Sequence, residues 1–384
     1  MNVINKLFIN LLIILLLVGL TVSCAPLGAQ PKGWSGVVVA DDALFLGSME
    51  GKLVAIDVSH HNRLWSDVPL ETSTPAATFG CAAPAMGVAV YGTPAVSGDL
   101  VYVGGYNGKI YAFSSSSGAS RWVYPREGNL QPIVGGPVVA QGKVYFGCSD
   151  GKVYALDANT GDKQWEFETG DKIWATPAIH DDMLYIGSFD KKLYALDAIT
   201  GEEKWGKPFE TQGAIACTPL VYNNTVYFGS FDRYFYAVNA TNGDPIWQFP
   251  VEDEAENRPE KWFWVKPVVY NNTIYAGNLD GKVYALDAET GNEVVEAIDL
   301  ESPISSSPVL INNAVIIATE AGKVYSLDTG TNQIKPLANV EEKTCAPLFA
   351  SEGVVYVHTQ QPETLYALNA ETGVTLWSLP LSSK

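Results

Sequence analysis

The chain repeats itself, and the repeat limits what it can fold into. Residues 136–165, GPVVAQGKVYFGCSDGKVYALDANTGDKQW, hold two alternating apolar runs, V-Y-F-G and V-Y-A-L-D, then a third segment carrying Trp165. Alternation with period two is the pattern of a half-buried strand, and connections this short join antiparallel neighbours. Ser149-Asp150-Gly151-Lys152 and Ala158-Asn159-Thr160-Gly161 supply the polar turns between the runs. One such unit cannot cover its own apolar faces. It is stable only against copies of itself.

Seven further copies are present. They are GVVVADDALFLGSMEGKLVAIDVSHHNRLW (36–65), TPAVSGDLVYVGGYNGKIYAFSSSSGASRW (93–122), TPAIHDDMLYIGSFDKKLYALDAITGEEKW (176–205) and TPLVYNNTVYFGSFDRYFYAVNATNGDPIW (218–247). KPVVYNNTIYAGNLDGKVYALDAETGNEVV (266–295), SPVLINNAVIIATEAGKVYSLDTGTNQIKP (307–336) and APLFASEGVVYVHTQQPETLYALNAETGVTLW (346–377) complete the set. The sixth and seventh lack the Trp, and the eighth has extra residues in its central turn. A spacing of about 40–45 residues suits one four-stranded propeller blade. The expectation is an all-β chain, an eight-bladed β-propeller of four-stranded antiparallel blades over residues 36–384. A hydrophobic content of 47% against 17% charged residues gives such a ring its core. Copy one has its own inner strand (Gly36–Ala40) and copy eight its own fourth strand (Val374–Leu379), so closure is expected by packing rather than by an exchanged strand. Residues Pro26–Lys32 could add an outer edge strand.

The motif A-x-D-A-x-T-G-x-x-x-W, residues 155–165, recurs as Asp197/Trp205 and, with Asn for Asp, as Asn239/Trp247 and Asn369/Trp377. Asp157 can accept backbone N–H bonds in its turn, Gly161 supplies a positive φ, and the Trp packs between blades with its N–H free for a carbonyl. Residues that recur in every blade are scaffold. These repeats resemble the PQQ-like β-propeller repeats, or tryptophan-docking motifs, of quinoprotein alcohol dehydrogenases and of the BamB-like lipoproteins of the outer-membrane β-barrel assembly machinery. The resemblance covers about residues 36–379, and the WD and GH signatures of WD40 blades are absent. The BamB-like layout implies a non-catalytic protein-binding scaffold of the cell envelope, without cofactor. The alternatives are a propeller that binds a small molecule or quinone, and a quinoprotein dehydrogenase. The dehydrogenases would need a calcium site, a catalytic Asp and adjacent cysteines, and this chain has no Cys-Cys pair or long insertion.

Ahead of the repeats, a basic start at Lys6 and an apolar run from Leu7 to Val22 read as a signal peptide over 1–23. The run is shorter than the roughly 20 residues a spanning helix needs. Leu20-Thr21-Val22-Ser23-Cys24 resembles a bacterial lipobox, although Thr21 stands where Leu is usual. It implies acylation of Cys24, a tether over 24–35, and a membrane anchor without a spanning helix. The expected location is extracytoplasmic, at the periplasmic face of an outer membrane or the outer face of a single cell membrane. There Cys81, Cys148, Cys217 and Cys345 could form disulfides, in three possible connectivities. None has metal spacing, so no metal site is expected. The net charge of −18 disfavours nucleic acid and fits a soluble acidic shell around a monomer.

In a propeller of this strand order, the segments leading into the inner strands share one face with the turns between second and third strands. Three residues before each inner-strand proline stand Tyr91, Val134, Trp174, Ala216, Trp264, Ser305 and Thr344, with Trp34 aligned in copy one. The four aromatics would ring the channel mouth, where they could grip a ligand or peptide or simply plug the ring. Most copies place Gly third in the central turn (Gly51, Gly108, Gly151, Gly281, Gly322), but copies four and five have Lys191 and Arg233, preceded by Phe189 and Phe231. With Trp174 these form either a basic-aromatic patch or ordinary solvated turns. Two long connections, 66–92 and 248–265, lie on the same face. The second, with Glu252-Asp253-Glu254 and then Trp262-Phe263-Trp264, is either a docking element or a loop packed on the propeller. The partners these features suggest are other envelope or membrane proteins.

Overall fold

The computed structural model describes residues 32–70, 88–251 and 258–382. Cys24, Cys81, the expected signal peptide, residues 26–31 of the expected edge strand and Glu252-Asp253-Glu254 lie outside the described residues. The described chain contains strands and turns and no helix, in eight antiparallel sheets that follow one another in sequence. This is the expected eight-bladed propeller. Blade three shows the plan: Val138–Ala140 pairs with Lys143–Gly147, that strand with Lys152–Asp157, and the last with Lys163–Glu168. The two middle strands are buried and the outermost is half exposed, so the alternating runs of the sequence became the blade interior.

The core lies between blades. Tyr102 and Trp122 of blade two share one apolar cluster with Val144, Phe146 and Leu156 of blade three, and the same arrangement recurs around the ring. A tryptophan dock fixes the spacing. The indole N–H of Trp122 donates to the Ala158 carbonyl at 3.0 Å, and the Tyr102 hydroxyl donates to the same oxygen at 3.1 Å. Trp165 and Tyr145 repeat this at Ala198, Trp205 and Tyr185 at Ala240, and Trp247 and Tyr227 at Ala288. Each accepting carbonyl sits in a turn ordered by the motif Asp or Asn. Asp157 Oδ1 accepts the N–H groups of Asn159 and Thr160, both at 2.9 Å.

The ring closes by packing, as expected. Blade one comprises Val37–Ala40, Ala43–Gly47, Lys52–Asp57 and an outer edge split into Asn62–Arg63 and Val68–Pro69. Blade eight keeps all four strands, Phe349–Ser351 to Thr375–Pro380. Leu44, Leu46 and Val54 of the first blade pack with Tyr356, Leu365 and Ala367 of the eighth. Trp377 stacks on His61 at 5.1 Å, so an imidazole stands where other docks have glycine. The longer central turn of copy eight also has a structural purpose. It buries Glu363, whose Oε1 accepts the Met49 N–H at 2.7 Å and faces His358 Nε2 at 3.1 Å, while His358 Nδ1 donates to the Ser35 carbonyl at 2.8 Å.

The motif glycine is needed for two reasons. Gly161 has φ +73°, and a Cβ there would come within 2.7 Å of the Trp122 ring. Gly142 has φ +71° with nothing within 4 Å of the same added atom. Gly161→Ala is therefore expected to cost about 1–3 kcal/mol more than Gly142→Ala in denaturant unfolding, because only the first displaces a packed indole. Equal losses would show that conformation alone explains the motif glycine.

Candidate functional site

The channel-mouth face is assembled by one recurrent backbone contact. In seven blades the first residue of the central turn or its neighbour donates its N–H to the segment leading into that blade: Ser149 to Pro132, Phe189 to Lys172, Phe231 to Ala214 and Leu279 to Trp262, at 2.9–3.1 Å. Tyr106 to Ala89, Glu320 to Pro303 and Gln360 to Lys343 complete the series. Side chains from the turn and the lead-in are thus neighbours in each of these seven blades. What differs from blade to blade is only their identity.

Trp34, Tyr91, Val134, Trp174, Ala216, Trp264 and Ser305 line one cavity at the mouth, of about 90 Å³. The eighth position is Cys345 rather than the expected Thr344, which is fully buried. The register explains the shift. Ser351 pairs with Val354 as Ala140 pairs with Lys143, so Pro347 occupies the position of Gly136, one residue earlier than the other inner-strand prolines. Every ring contact of the four aromatics is made within a blade or with the next blade, along the rim. Trp34 meets Tyr91 at 4.5 Å, and Tyr91 meets Tyr106 at 5.4 Å.

On the other side of the mouth the rings run on without a break across blades four to six. Trp174 meets Phe189 edge-on at 4.7 Å, Phe189 meets Phe231 at 5.7 Å, and Phe231 stacks on Trp262 at 4.4 Å and on Trp264 at 5.7 Å. The Trp174 indole N–H donates to Ser149 Oγ at 3.1 Å, which holds the ladder's first ring. Trp262 at the far end is 45% exposed. Phe263, grouped with its neighbours from sequence as a contact residue, belongs to the core instead. It is buried against Phe235 and Tyr284, because alternation turns the middle residue of Trp262-Phe263-Trp264 inward.

The cation over these rings is one the sequence reading missed. Lys172 Nζ lies 4.5 Å from the Phe189 ring centre and 4.9 Å from that of Trp174. Arg258 lies 4.9 Å from the Tyr234 ring. Lys172 stands two residues before Trp174, so the same neighbour spacing that found Trp174 could have found it. Lys191 and Arg233 make no cation–ring contact among the described residues; Lys191 is exposed and Arg233 half-buried. Their backbones are the more telling feature. Lys191 has φ +73° and Arg233 φ +76°, the left-handed conformation that Gly51, Gly108, Gly151, Gly281 and Gly322 adopt in the other turns. A side chain there costs on the order of 1 kcal/mol.

Behind the rim lies the central channel, a cavity of about 690 Å³ lined by inner-strand residues. Lys266 lines both this cavity and the mouth, and burial lowers the pKa of its ammonium. Cys148, Cys217 and Cys345 are free and buried, and burial pushes the thiols of Cys148 and Cys217 up to about 12. Among the described residues no cluster of His, Cys, Asp or Glu could hold a metal ion, and no helix is long and apolar enough to cross a membrane.

The family model described as outer membrane protein assembly factor BamB matches residues 25–172 and again 149–379. The chain belongs to this family. Its fold is similar to the crystal structure of BamB from Moraxella catarrhalis, with a TM-score of 0.67, 20% identity, and 91% of this chain and 95% of that one covered. It is also similar to the computationally designed Ika8 protein, with a TM-score of 0.71, 16% identity, and 89% and 97% covered. No curated protein matches the chain. Membership of the BamB family accounts for the consensus positions of the repeat, and the ladder is built from positions where the copies depart from it.

Three substitutions separate surface from scaffold. Lys191→Gly and Arg233→Gly are each expected to leave stability unchanged or raise it by up to about 1 kcal/mol in denaturant unfolding, since they relieve a left-handed side-chain residue. Phe263→Ala is expected to cost about 3–5 kcal/mol. Marked destabilisation by either glycine variant would make those cations structural.

Proposed function

We propose that this protein is a lipid-anchored, extracytoplasmic, non-catalytic propeller that docks another envelope protein on the aromatic ladder of blades four to six. One observation carries the reading. Trp174, Phe189, Phe231, Trp262 and Trp264 form a continuous row at the surface, and the flanking turns keep cations at positions where the backbone favours glycine. A row of rings presents large, rigid contact area at low entropic cost, which is what the centre of a protein interface requires. Lys172, Lys191 and Arg233 offset the carboxylates of Asp171, Asp190 and Asp232 in this stretch, on a protein of net charge −18, and offer donors to acidic or carbonyl groups of a partner strand. Family membership supports an assembly role. The lipobox-like Cys24 supports anchoring of the mature chain through acyl chains, with residues 24–35 as tether and 1–23 removed.

The test is capture from detergent-solubilised membranes of the source cells, comparing the wild type with Trp262→Ala plus Trp264→Ala. Partner recovery is expected to fall at least tenfold. Trp262 is half exposed and its stacking contributes only about 0.5–1.5 kcal/mol, so Trp262→Ala alone shifts the melting curve little. Any larger loss in the double variant comes from Trp264, which packs on the core of blades six and seven. Undiminished recovery would move the docking surface elsewhere. Separately, Cys24→Ser is expected to abolish labelling by a clickable fatty acid. Persistent labelling would remove Cys24 as the anchor.

A further inference from the structure

The channel neck carries a second feature, independent of the ladder. Two residues inside the rim position, each blade contributes one residue to a narrower ring: Gly36, Thr93, Gly136, Thr176, Thr218, Lys266, Ser307 and Pro347. Seven of these, all but Gly36, line the mouth cavity and the channel together or bridge them. The hydroxyls are fixed by the preceding blade. Thr176 Oγ1 accepts the Gly136 N–H at 2.8 Å, and Ser307 Oγ accepts the Lys266 N–H at 3.2 Å, which leaves each O–H free to donate. Lys266 has no ion-pair partner among the described residues. Its side chain is exposed to the channel space yet surrounded by protein, which is why burial lowers its pKa while its surface stays accessible.

The distribution of charge is what makes the neck unusual. The chain has 42 acidic residues against 24 Lys and Arg, yet no Asp or Glu lines either cavity. An ammonium recessed among protein, with the Ser307 hydroxyl in the adjacent blade, the Thr176 hydroxyl on the same cavity wall and no carboxylate lining it, attracts an anion more strongly than the same group on the open surface. Trp264 of the same blade and Trp34, Tyr91 and Trp174 around the rim line the cavity that Lys266 enters, and such rings suit an apolar group rather than a hydrated inorganic ion. We propose that the neck is a carboxylate-binding site, with Lys266 as the countercharge, Thr176 and Ser307 as hydroxyl donors, and the rim aromatics holding the apolar group that bears the carboxylate. Two sources share that chemistry: the C-terminus of an extended peptide, and a small aliphatic acid.

The experiment uses the full mature chain with reductively ¹³C-methylated lysines, which reports the Lys266 ammonium directly, alongside tryptophan fluorescence. The probes are N-acetyl-Ala-Ala-Leu with a free carboxylate, the same peptide amidated, and isovalerate. The free peptide is expected to shift the Lys266 signal and raise its pKa, and amidation to weaken binding about tenfold or more. Lys266→Met is expected to lose binding to the same degree and Lys266→Arg to retain most of it, with unchanged melting for both. Isovalerate binding as tightly as the peptide would assign the site to small acids, and weaker binding would assign it to a peptide terminus. Equal affinity for the amidated peptide, or no response of Lys266 to any probe, would overturn the proposal. Trp262→Ala is expected to leave this binding intact, so failure here and failure of ladder docking are separate outcomes.

Discussion

The interaction on which the rest of this structure depends is the indole N–H donated across a blade boundary to a turn carbonyl. A sheet of four short strands has two apolar faces and no way to cover either alone. The dock solves this with one polar bond and one ring. The bond, near 3 Å at Ala158, Ala198, Ala240 and Ala288, fixes where the next blade sits, and the ring fills the wedge that opens between diverging sheets. Glycine follows as a consequence. With the indole packed on the turn, the positions of Gly161, Gly201, Gly243 and Gly291 have no room for a Cβ. Asp157 and its counterparts are equally derivative, since they shape the turn that presents the carbonyl. A motif eleven residues long in the sequence is therefore a single physical device.

That device is why the fold was legible. Alternating runs, turn residues and the Trp all express local rules, and they recur often enough that each copy confirms the others. Blade number, strand order and closure by packing all followed. The errors came where a residue's environment depends on something other than repeat position. Thr344 was aligned on its proline, but the eighth copy's proline sits one residue early, and the strand pairing places Cys345 on the rim instead. Phe263 was grouped with its neighbours, although two residues that follow each other along an extended chain face opposite ways. Lys191 and Arg233 were identified as departures from glycine, which is visible in sequence. That their backbones hold the left-handed conformation was implied by the copies, while the reach of Lys172 over two rings was not.

Electrostatics divides the molecule in a way composition hides. A net charge of −18 describes the outer shell, where acids are solvated and turn residues are paired with their own backbone. The mouth cavity and the channel behind it are lined without a carboxylate, and their basic side chains are Lys266 and, in the channel, His180. Total charge governs solubility and long-range encounter, whereas a recessed site responds to the few groups within it.

The docks are not uniform, and their distribution bears on where a partner can be held. Trp65, Trp122, Trp165, Trp205 and Trp247 lock blades one to six in series. Beyond that arc the device weakens. Blade six has no docking Trp on its outer strand, and its Tyr275 hydroxyl bonds Asn332 Oδ1 at 3.1 Å in place of a backbone carbonyl. At the closing seam an imidazole stack and a buried His358–Glu363 contact do the work of the indole and glycine. The aromatic ladder stands on blades four, five and six, within the arc where every boundary is docked. A contact surface spread over three sheets is useful only if those sheets keep their relative positions, since any freedom between them must be lost on binding. The scaffold residues and the departures from them are thus linked. The consensus makes that arc rigid, and the rigidity is what allows five rings from three different blades to act as one surface.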